Sequence, residues 1–496
     1  MYLGLDLGTS GLKGVLVDER GMLLAQETVA LSVESVRSLW SEQNPNSWWQ
    51  ACEDVIRLLQ EKIDLAPLKA IGLSGQMHGA TLLDKDGQIL RPCILWNDGR
   101  SHQECLQLMD ECPDFLERSG NLAMPGFTSP KILWLKEHEP EVFEKLAYVL
   151  LPKDYLAYCL TGELSTDCSD AAGTLWLNPN TRQWDDTLLA ATGLSQDNMP
   201  KVYEGCQFVG QLSAEVAKRL GLKEVPVVAG AGDNAAGAVG MGVTEPGQGF
   251  ISLGTSGVYF TVSEQHRASP EHTVHAFCHA LPDRWHQMGV TLSAGNSLSW
   301  LSKLLNISVE KLLMNLETAG VEKTKLLFLP YINGERTPHN DPQASGQFIG
   351  FSNQTSHEEM TLSVLEGVAF SMLDCQNALA EAGSSVDALS LIGGGARSAK
   401  WRQIIANVLN KTLHYRDGGA VGPGLGAARL ALLADKHQQG ESLESLIKEY
   451  CNLPEVIATH TAEANLAVYY QAKYQLYQQA YQSTKVLSAQ LTQLLD

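Results

Sequence analysis

The sequence predicts an α/β protein made of two related halves, and three observations carry that prediction. The word LGTSG occurs twice, at residues 7–11 and 253–257, each time between two apolar stretches that read as strands. Segments with helical and with strand periodicity alternate through both halves, the pattern of α/β layers. The chain's 496 residues exceed what one hydrophobic core organises, which favours two domains of about 250 residues each.

The elements follow in order. YLGLDLGTSGLKGVLVDERGMLLAQETVALSV reads as a strand, a Gly/Ser/Thr turn, a second strand, a turn at 19–21 and a third strand. NSWWQACEDVIRLLQEKI and PKILWLKEHEP read as helices, and LKAIGLSG (68–75) and VPVVAGAG (225–232) as strands. A Pro/Gly pair in VTEPGQ (243–248) sets the expected boundary, giving domains 1–245 and 246–496. GQGFISLGTSGVYFTVSE then repeats the opening hairpin, the mark of a duplicated unit. A long helix is expected over 357–382, a strand at the start of ALSLIGGGARS (388–398), and helices near 399–410, 423–435 and 461–484.

Composition narrows the function. A net charge of −20 with no Lys/Arg block argues against nucleic acid, while backbone N–H groups in a pocket still hold a small phosphate. The ten cysteines form no Cys-x-x-Cys pair and read as free thiols in a reducing compartment. MYLGLDLGTS opens as a strand rather than as a basic and apolar leader, and no apolar run reaches the length of a membrane span. A cytoplasmic protein is expected.

Each Gly-Thr-Ser-Gly turn leaves N–H groups without ladder partners beside small side chains, so Gly8, Thr9 and Ser10, and Gly254, Thr255 and Ser256, are candidate phosphate holders. A tight hairpin needing glycine only for its conformation is the alternative. Asp6 ends the first strand where the repeat has Ser252. One carboxylate beside a phosphate cradle suits Mg²⁺, though capping of its own turn is also open. In VVAGAGDNAAGAVG, Asp233 and Asn234 stand where a strand meets a helix, so Asp233 is either an N-cap or, given the glycine density around it, a ligand contact. Gly393, Gly394 and Gly395 in LIGGGARS offer side-chain-free backbone to a base or ribose, or only close packing.

His78 in SGQMHGA and the Asp98–Arg100 pair in WNDGR stand in loops, where a structural role is the commoner one. The group His272, His275, Cys278, His279 and His286 matches no zinc spacing. Gly-Lys-Ser/Thr, Gly-x-Gly-x-x-Gly and Gly-x-Ser-x-Gly words are lacking, which argues against P-loop, dinucleotide-binding and serine-hydrolase readings. Lys13 either adds local positive charge or is a solvated hairpin lysine.

DLGTSGLK (6–13), AGAGDNAAGA (229–238), SLGTSG (252–257) and LIGGGARS (391–398), in this order, resemble the two phosphate segments, the connecting segment and the adenosine segment of the sugar-kinase, actin and Hsp70 superfamily. GFTSPKILWLKEH (126–138) and GQFIGFSNQTSHEEMTLSVLEG (346–367) resemble the two signatures of the FGGY carbohydrate kinases, with Phe351 in place of an aliphatic residue. WSEQNP, SGQMHGA, ILWNDGR, GNLAMPGFTSPK and LPYINGERTPHNDP look most like the branch that phosphorylates D-xylulose, rather than the glycerol, ribulose or gluconate branches.

The resemblance implies two ribonuclease H-like domains around a central cleft, with sugar held mainly by the first and ATP mainly by the second. It implies Asp233 as general base, Asp6 as organiser of Mg²⁺, and Met77, His78, Asp233 and Asn234 on the sugar. It further implies Thr255 and residues 393–395 on the nucleotide, Trp300 near the base, and a homodimer. A non-catalytic sensor and an assembly or chaperone ATPase of the same fold are the rivals from other classes.

Overall fold

The computed structural model describes residues 1–417 and 422–493. The first half forms a seven-stranded sheet from β1 (Tyr2–Leu7), β2 (Gly11–Val17), β3 (Leu23–Ala30), β4 (Ala70–Gly75), β5 (Phe208–Gln211), β6 (Pro226–Val228) and β7 (Ala231–Gly232). Its order is β5-β6-β4-β1-β2-β3, with β7 beside β4. The second half uses β8 (Gly249–Leu253), β9 (Gly257–Ser263), β10 (His275–Cys278), β11 (Trp285–Thr291), β12 (Ala388–Ile392), β13 (Thr412–Arg416) and β14 (Val456–His460), in the order β10-β11-β9-β8-β12-β13-β14.

The two sheets repeat one topology. In each, an antiparallel hairpin (β1/β2, β8/β9) is extended by a third antiparallel strand (β3, β11) on one side. A strand parallel to the first (β4, β12) and a further parallel strand (β6, β13) follow on the other. This is the ribonuclease H-like order expected of each half, and the duplicated LGTSG words sit at equivalent hairpin tips.

Local sequence explains the flanking helices. In α1 (Pro45–Gln60) the Asn44 side chain accepts the Asn46 N–H, proline opens the first turn, and Trp48, Ala51, Cys52, Val55, Ile56 and Leu59 fall on one buried stripe. In the 25-residue helix over His357–Glu381, Ser356 and Glu359 form a reciprocal capping box. All ten cysteines are free thiols.

Packing between the halves does not follow chain order. Asp233–Met241, numbered α2 here, and Gly422–Gln438, α3, cross between the sheets. α3 belongs to the second half by sequence, yet it packs on β1 and β4 of the first sheet. Ala238 and Met241 of α2 share an apolar cluster with Phe250 and Phe260 of the second sheet. The contacts are backbone to backbone: a Cβ on Gly4 would lie 2.0 Å from the Gly424 oxygen, and one on Gly426 would lie 1.8 Å from the Ala236 oxygen. No side chain fits either place, so the glycines around these helices set how closely the halves approach.

Candidate active site

Strand register brings the first acidic groups together. Asp6 of β1 is paired with Ser74 of β4, and Ser74 with Ala231 of β7. Leu7, Gly75 and Gly232 therefore end level with one another, at the carboxyl ends of parallel strands where α/β proteins place ligands. The chain continues from Gly75 to Gln76, Met77 and His78, and from Gly232 directly into Asp233 and Asn234 at the start of α2.

Met77, His78, Asp233 and Asn234 line one cavity of about 300 Å³ between the halves, and Asp6 is not among the residues that line it. Met77, His78, Trp96, Met124, Gly126, Phe127, Asp233 and Asn234 come from the first half. Ser256, Val258, His275, Phe277, Met288, Val290 and Arg336 come from the second. A few polar groups converging in a mostly apolar hollow make a small-molecule site.

Asp233 has one carboxylate oxygen committed and one open. Its Oδ1 accepts the Asn234 N–H (2.7 Å) and the Asn234 Nδ2–H (3.0 Å), while Oδ2 accepts no hydrogen bond from the described residues. Burial lifts its pKa to about 6, against the opposing pull of Asn234. Such a carboxylate is ionised at neutral pH and more basic than a solvated aspartate. Behind it, Lys153 Nζ pairs with Asp167 Oδ1 (2.8 Å), Asp167 Oδ2 accepts the Ser169 hydroxyl (2.5 Å), and Ser169 Oγ accepts the Gly232 N–H (3.2 Å). The residue preceding Asp233 is thus fastened to a buried ion pair.

Asp6 is raised to about 7, first by burial and second by the charge of Asp233. A divalent cation offsets both effects, and a single carboxylate with a second acid close enough to raise its pKa is a donor type that Mg²⁺ takes. The residues present fit that ion.

His78 has a left-handed backbone (φ 69°), and its carbonyl accepts bonds from Lys131 Nζ (2.8 Å) and Thr128 Oγ1 (3.1 Å). Its Nδ1 lies 2.7 Å from the Gly173 carbonyl oxygen. A carbonyl only accepts, so Nδ1 carries the proton and Nε2 is left as an acceptor. Burial holds the ring pKa at about 3, so the imidazole is neutral.

A second cavity of about 1090 Å³ is lined by Leu253, Gly254 and Thr255, by residues 394–395 and 397–399, by Trp401, and by the helices Gly295–Leu305 and Val309–Ala319. Gly254 O and Thr255 O accept the N–H groups of Gly295 (2.8 Å) and Ala294 (2.9 Å), which docks the hairpin onto the start of the first of these helices.

Comparison with known proteins bears on this geometry. Residues 1–240 match the N-terminal domain of the FGGY family of carbohydrate kinases, and residues 249–434 match its C-terminal domain. The chain belongs to the FGGY family of carbohydrate kinases. It is 48% identical over 490 residues to a xylulose kinase of Escherichia coli K12, covering 99% of this chain and 100% of that one. It is similar to the crystal structure of a xyloylose kinase from Brucella ovis (TM-score 0.92, 44% identity, 98% and 99% of the two chains). It is also similar to a ligand-bound xylulose kinase from Lactobacillus acidophilus (TM-score 0.91, 26% identity, 99% of each chain).

In this FGGY chain the structure brings Met77, His78, Asp233, Asn234 and Ser256 to one cavity, and Gly254, Thr255, Gly394 and Gly395 to the other. Other expectations are corrected. Trp300 is not among the residues lining the second cavity: its partly buried ring stacks on Phe328 (5.9 Å) and Phe348 (6.1 Å) at the edge of the apolar core. Gly393 does not line it either; a Cβ there would lie 2.7 Å from the Leu253 backbone, so this glycine serves a close approach. The Gly8 amide is not left open, because it donates to Gly11 O (3.0 Å). Ser10 O accepts the Leu31 N–H (2.9 Å), and the Thr9 hydroxyl donates to Gln76 Oε1 and accepts from Trp96 Nε1, both at 2.9 Å. Thr9 therefore braces the cavity wall.

The Asp98–Arg100 pair is structural, with Arg100 Nη2 on Asp98 Oδ2 (2.7 Å) and its guanidinium 3.6 Å from the Trp40 ring centroid. Of the fifteen residues lining the cavity that holds Asp233, eight belong to the first half and seven to the second. Trp96, Phe127, His275, Phe277 and Arg336 were not singled out as ligand contacts from sequence. Trp96, Phe127 and Arg336 lay inside quoted motifs and His275 in the histidine group weighed for zinc, whereas nothing local marks Phe277 as facing a ligand.

Proposed function

We propose that this chain transfers the γ-phosphoryl group of ATP to the 5-hydroxyl of D-xylulose, giving D-xylulose 5-phosphate and ADP. The observation that carries the reading is the cavity in which Asp233, its Oδ2 unbonded among the described residues, joins Met77, His78 and Asn234, with Ser256 of the second hairpin in the wall. The names of the similar proteins supply the sugar. Residues 1–245 are taken as the domain carrying the base and 246–496 as the nucleotide-binding domain.

Phosphoryl transfer demands position and charge neutralisation more than covalent chemistry. Asp233 Oδ2 accepts the proton of the sugar hydroxyl as that oxygen attacks, while Asn234 fixes the carboxylate through Oδ1. His78 Nε2 accepts a hydrogen bond from a second hydroxyl. Asp6 would hold Mg²⁺, which supplies neutralisation of the phosphate oxygens when bound. The nucleotide lies along Gly254, Thr255 and the glycines 394–395. Closure of the halves over the sugar keeps water from the γ-phosphate.

A cytoplasmic homodimer belongs to the same reading; among the described residues no helix is long and apolar enough to cross a membrane. ADP release measured with D-xylulose, D-ribulose, glycerol and gluconate tests it. D-Xylulose should give the highest kcat/KM, and a higher value with any other member of that panel overturns the assignment.

A further inference from the structure

Among the residues lining the sugar cavity, Arg336 alone carries a permanent positive charge. Among the described residues its guanidinium has one hydrogen bond, Nη1 to His275 Nε2 at 3.4 Å, and no ion pair. The adjacent carboxylate of Glu335 is committed elsewhere: Oε2 accepts the Thr291 hydroxyl (2.5 Å), and Oε1 accepts the N–H groups of Leu292 (3.0 Å) and Arg336 (2.7 Å). A guanidinium cannot shed its charge in a protein, so a half-buried one facing a cavity is completed by ligand oxygens.

Its place in the cavity is defined by aromatic contacts. His78 packs on Phe127 (4.6 Å), Phe127 on His275 (5.5 Å), and His275 carries Arg336. The Arg336 charge acts on His78 and His275. Arg336 thus stands beside His275 on the second half's wall of the cavity, linked to His78 through Phe127, while Asp233 opens from the first half's wall.

Resting on the reading that Asp233 receives the terminal hydroxyl of a five-carbon sugar, we infer that Arg336 binds the oxygens at the opposite end of that sugar. The same guanidinium makes the site a receptor for five-carbon sugar acids, whose carboxylate pairs with it. An aldonate of this length keeps a terminal hydroxyl for the Asp233 end and presents two planar oxygens to the arginine fork, a stronger partner than a hydroxyl. A neutral sugar leaves that charge solvated only by hydroxyl and carbonyl dipoles.

Calorimetric titration of the full chain with D-xylonate, xylitol and D-xylulose tests the inference. The wild type should bind D-xylonate at least about tenfold more tightly than xylitol, which has the same length and no charge. Arg336→Gln should weaken D-xylonate at least about 30-fold and xylitol by less than about threefold, and Arg336→Lys should recover part of the loss. ADP affinity should stay unchanged in both variants. Equal affinity of the wild type for D-xylonate and xylitol overturns the inference even if no variant folds, and so does an equal loss of both ligands in Arg336→Gln. Failure of the function reading would show separately, as wild-type chain that releases no ADP with D-xylulose.

Discussion

Thr255 and Ser256 are neighbours in the chain and face different cavities, Thr255 the larger one on the nucleotide side and Ser256 the smaller one that holds Asp233. The tip of the second hairpin is therefore the partition across which a phosphoryl group would pass. Removing each hydroxyl should act on one substrate. Thr255→Val should raise the KM for ATP and Ser256→Ala the KM for sugar, each by about three- to tenfold, the worth of one hydrogen bond. Steady-state kinetics with either substrate varied checks this, and a reversed pattern would place the partition elsewhere.

Loss of the base should separate chemistry from binding. Asp233→Asn should lower kcat by about 10²–10⁴-fold, the range of general-base catalysis, while ADP affinity measured by calorimetry is kept. Retention of a tenth of the wild-type rate would remove Asp233 from that role.

The same carboxylate costs stability at neutral pH. A folded-state pKa of about 6 against a model value of 3.8 means that the folded state binds the proton more tightly. Its contribution is therefore destabilising above pH 6 and fades as pH falls toward the unfolded value. Asp233→Asn should raise the unfolding free energy by about 1–2 kcal/mol at pH 8 and leave it unchanged below pH 4. Calorimetric melting at the two pH values decides; a loss of stability at pH 8 would mean that the Asn234 bonds outweigh the buried charge.

Activity should follow the opposite sign, because catalysis needs both acids ionised. The kcat/KM for sugar should fall about tenfold per pH unit below a midpoint near pH 6, set by Asp233. The Mg²⁺ concentration for half-maximal rate should rise as pH falls below about 7, since a proton on Asp6 competes with the ion. In Asp6→Asn that pH dependence should vanish along with most of the rate. A Mg²⁺ titration of Asp6→Asn matching the wild type would exclude Asp6 as the metal ligand.

Gly173 is close to His78 for a steric reason. A Cβ at 173 would lie 2.6 Å from His78 Cε1 and 2.8 Å from Met77 Cε. Gly173→Ala should displace both side chains and raise the sugar KM at least about tenfold, with the KM for ATP unchanged, because both line the cavity that holds Asp233. Parallel kinetics for the two substrates measure it.

The α/β class and the duplication were legible in the sequence because both rest on local patterns. Strand alternation, a Gly/Ser/Thr turn and a repeated word survive without knowledge of what packs against them. Asp6, Met77, His78, Asp233 and Asn234 were legible for a related reason: each stands within a few residues of a strand end, where backbone geometry alone aims side chains at the sheet's carboxyl edge. Trp300 was misplaced because a tryptophan on an amphipathic helix looks alike whether it covers a base or fills a core, and only the rings of Phe328 and Phe348 decide.

By itself, then, the sequence determined two like halves, the hairpin tips and the acids at the strand ends, all consequences of short-range backbone preference and hydrophobic period. Only the tertiary structure decided that α3 leaves its own half to lie on the first sheet, and that the second half supplies His275, Phe277 and Arg336 to the cavity that holds Asp233. Those outcomes depend on glycines far along the chain from their contacts, such as Gly426 against Ala236 and Gly4 against Gly424. Contacts at such separation are set by shape complementarity between complete surfaces, which no window of sequence contains.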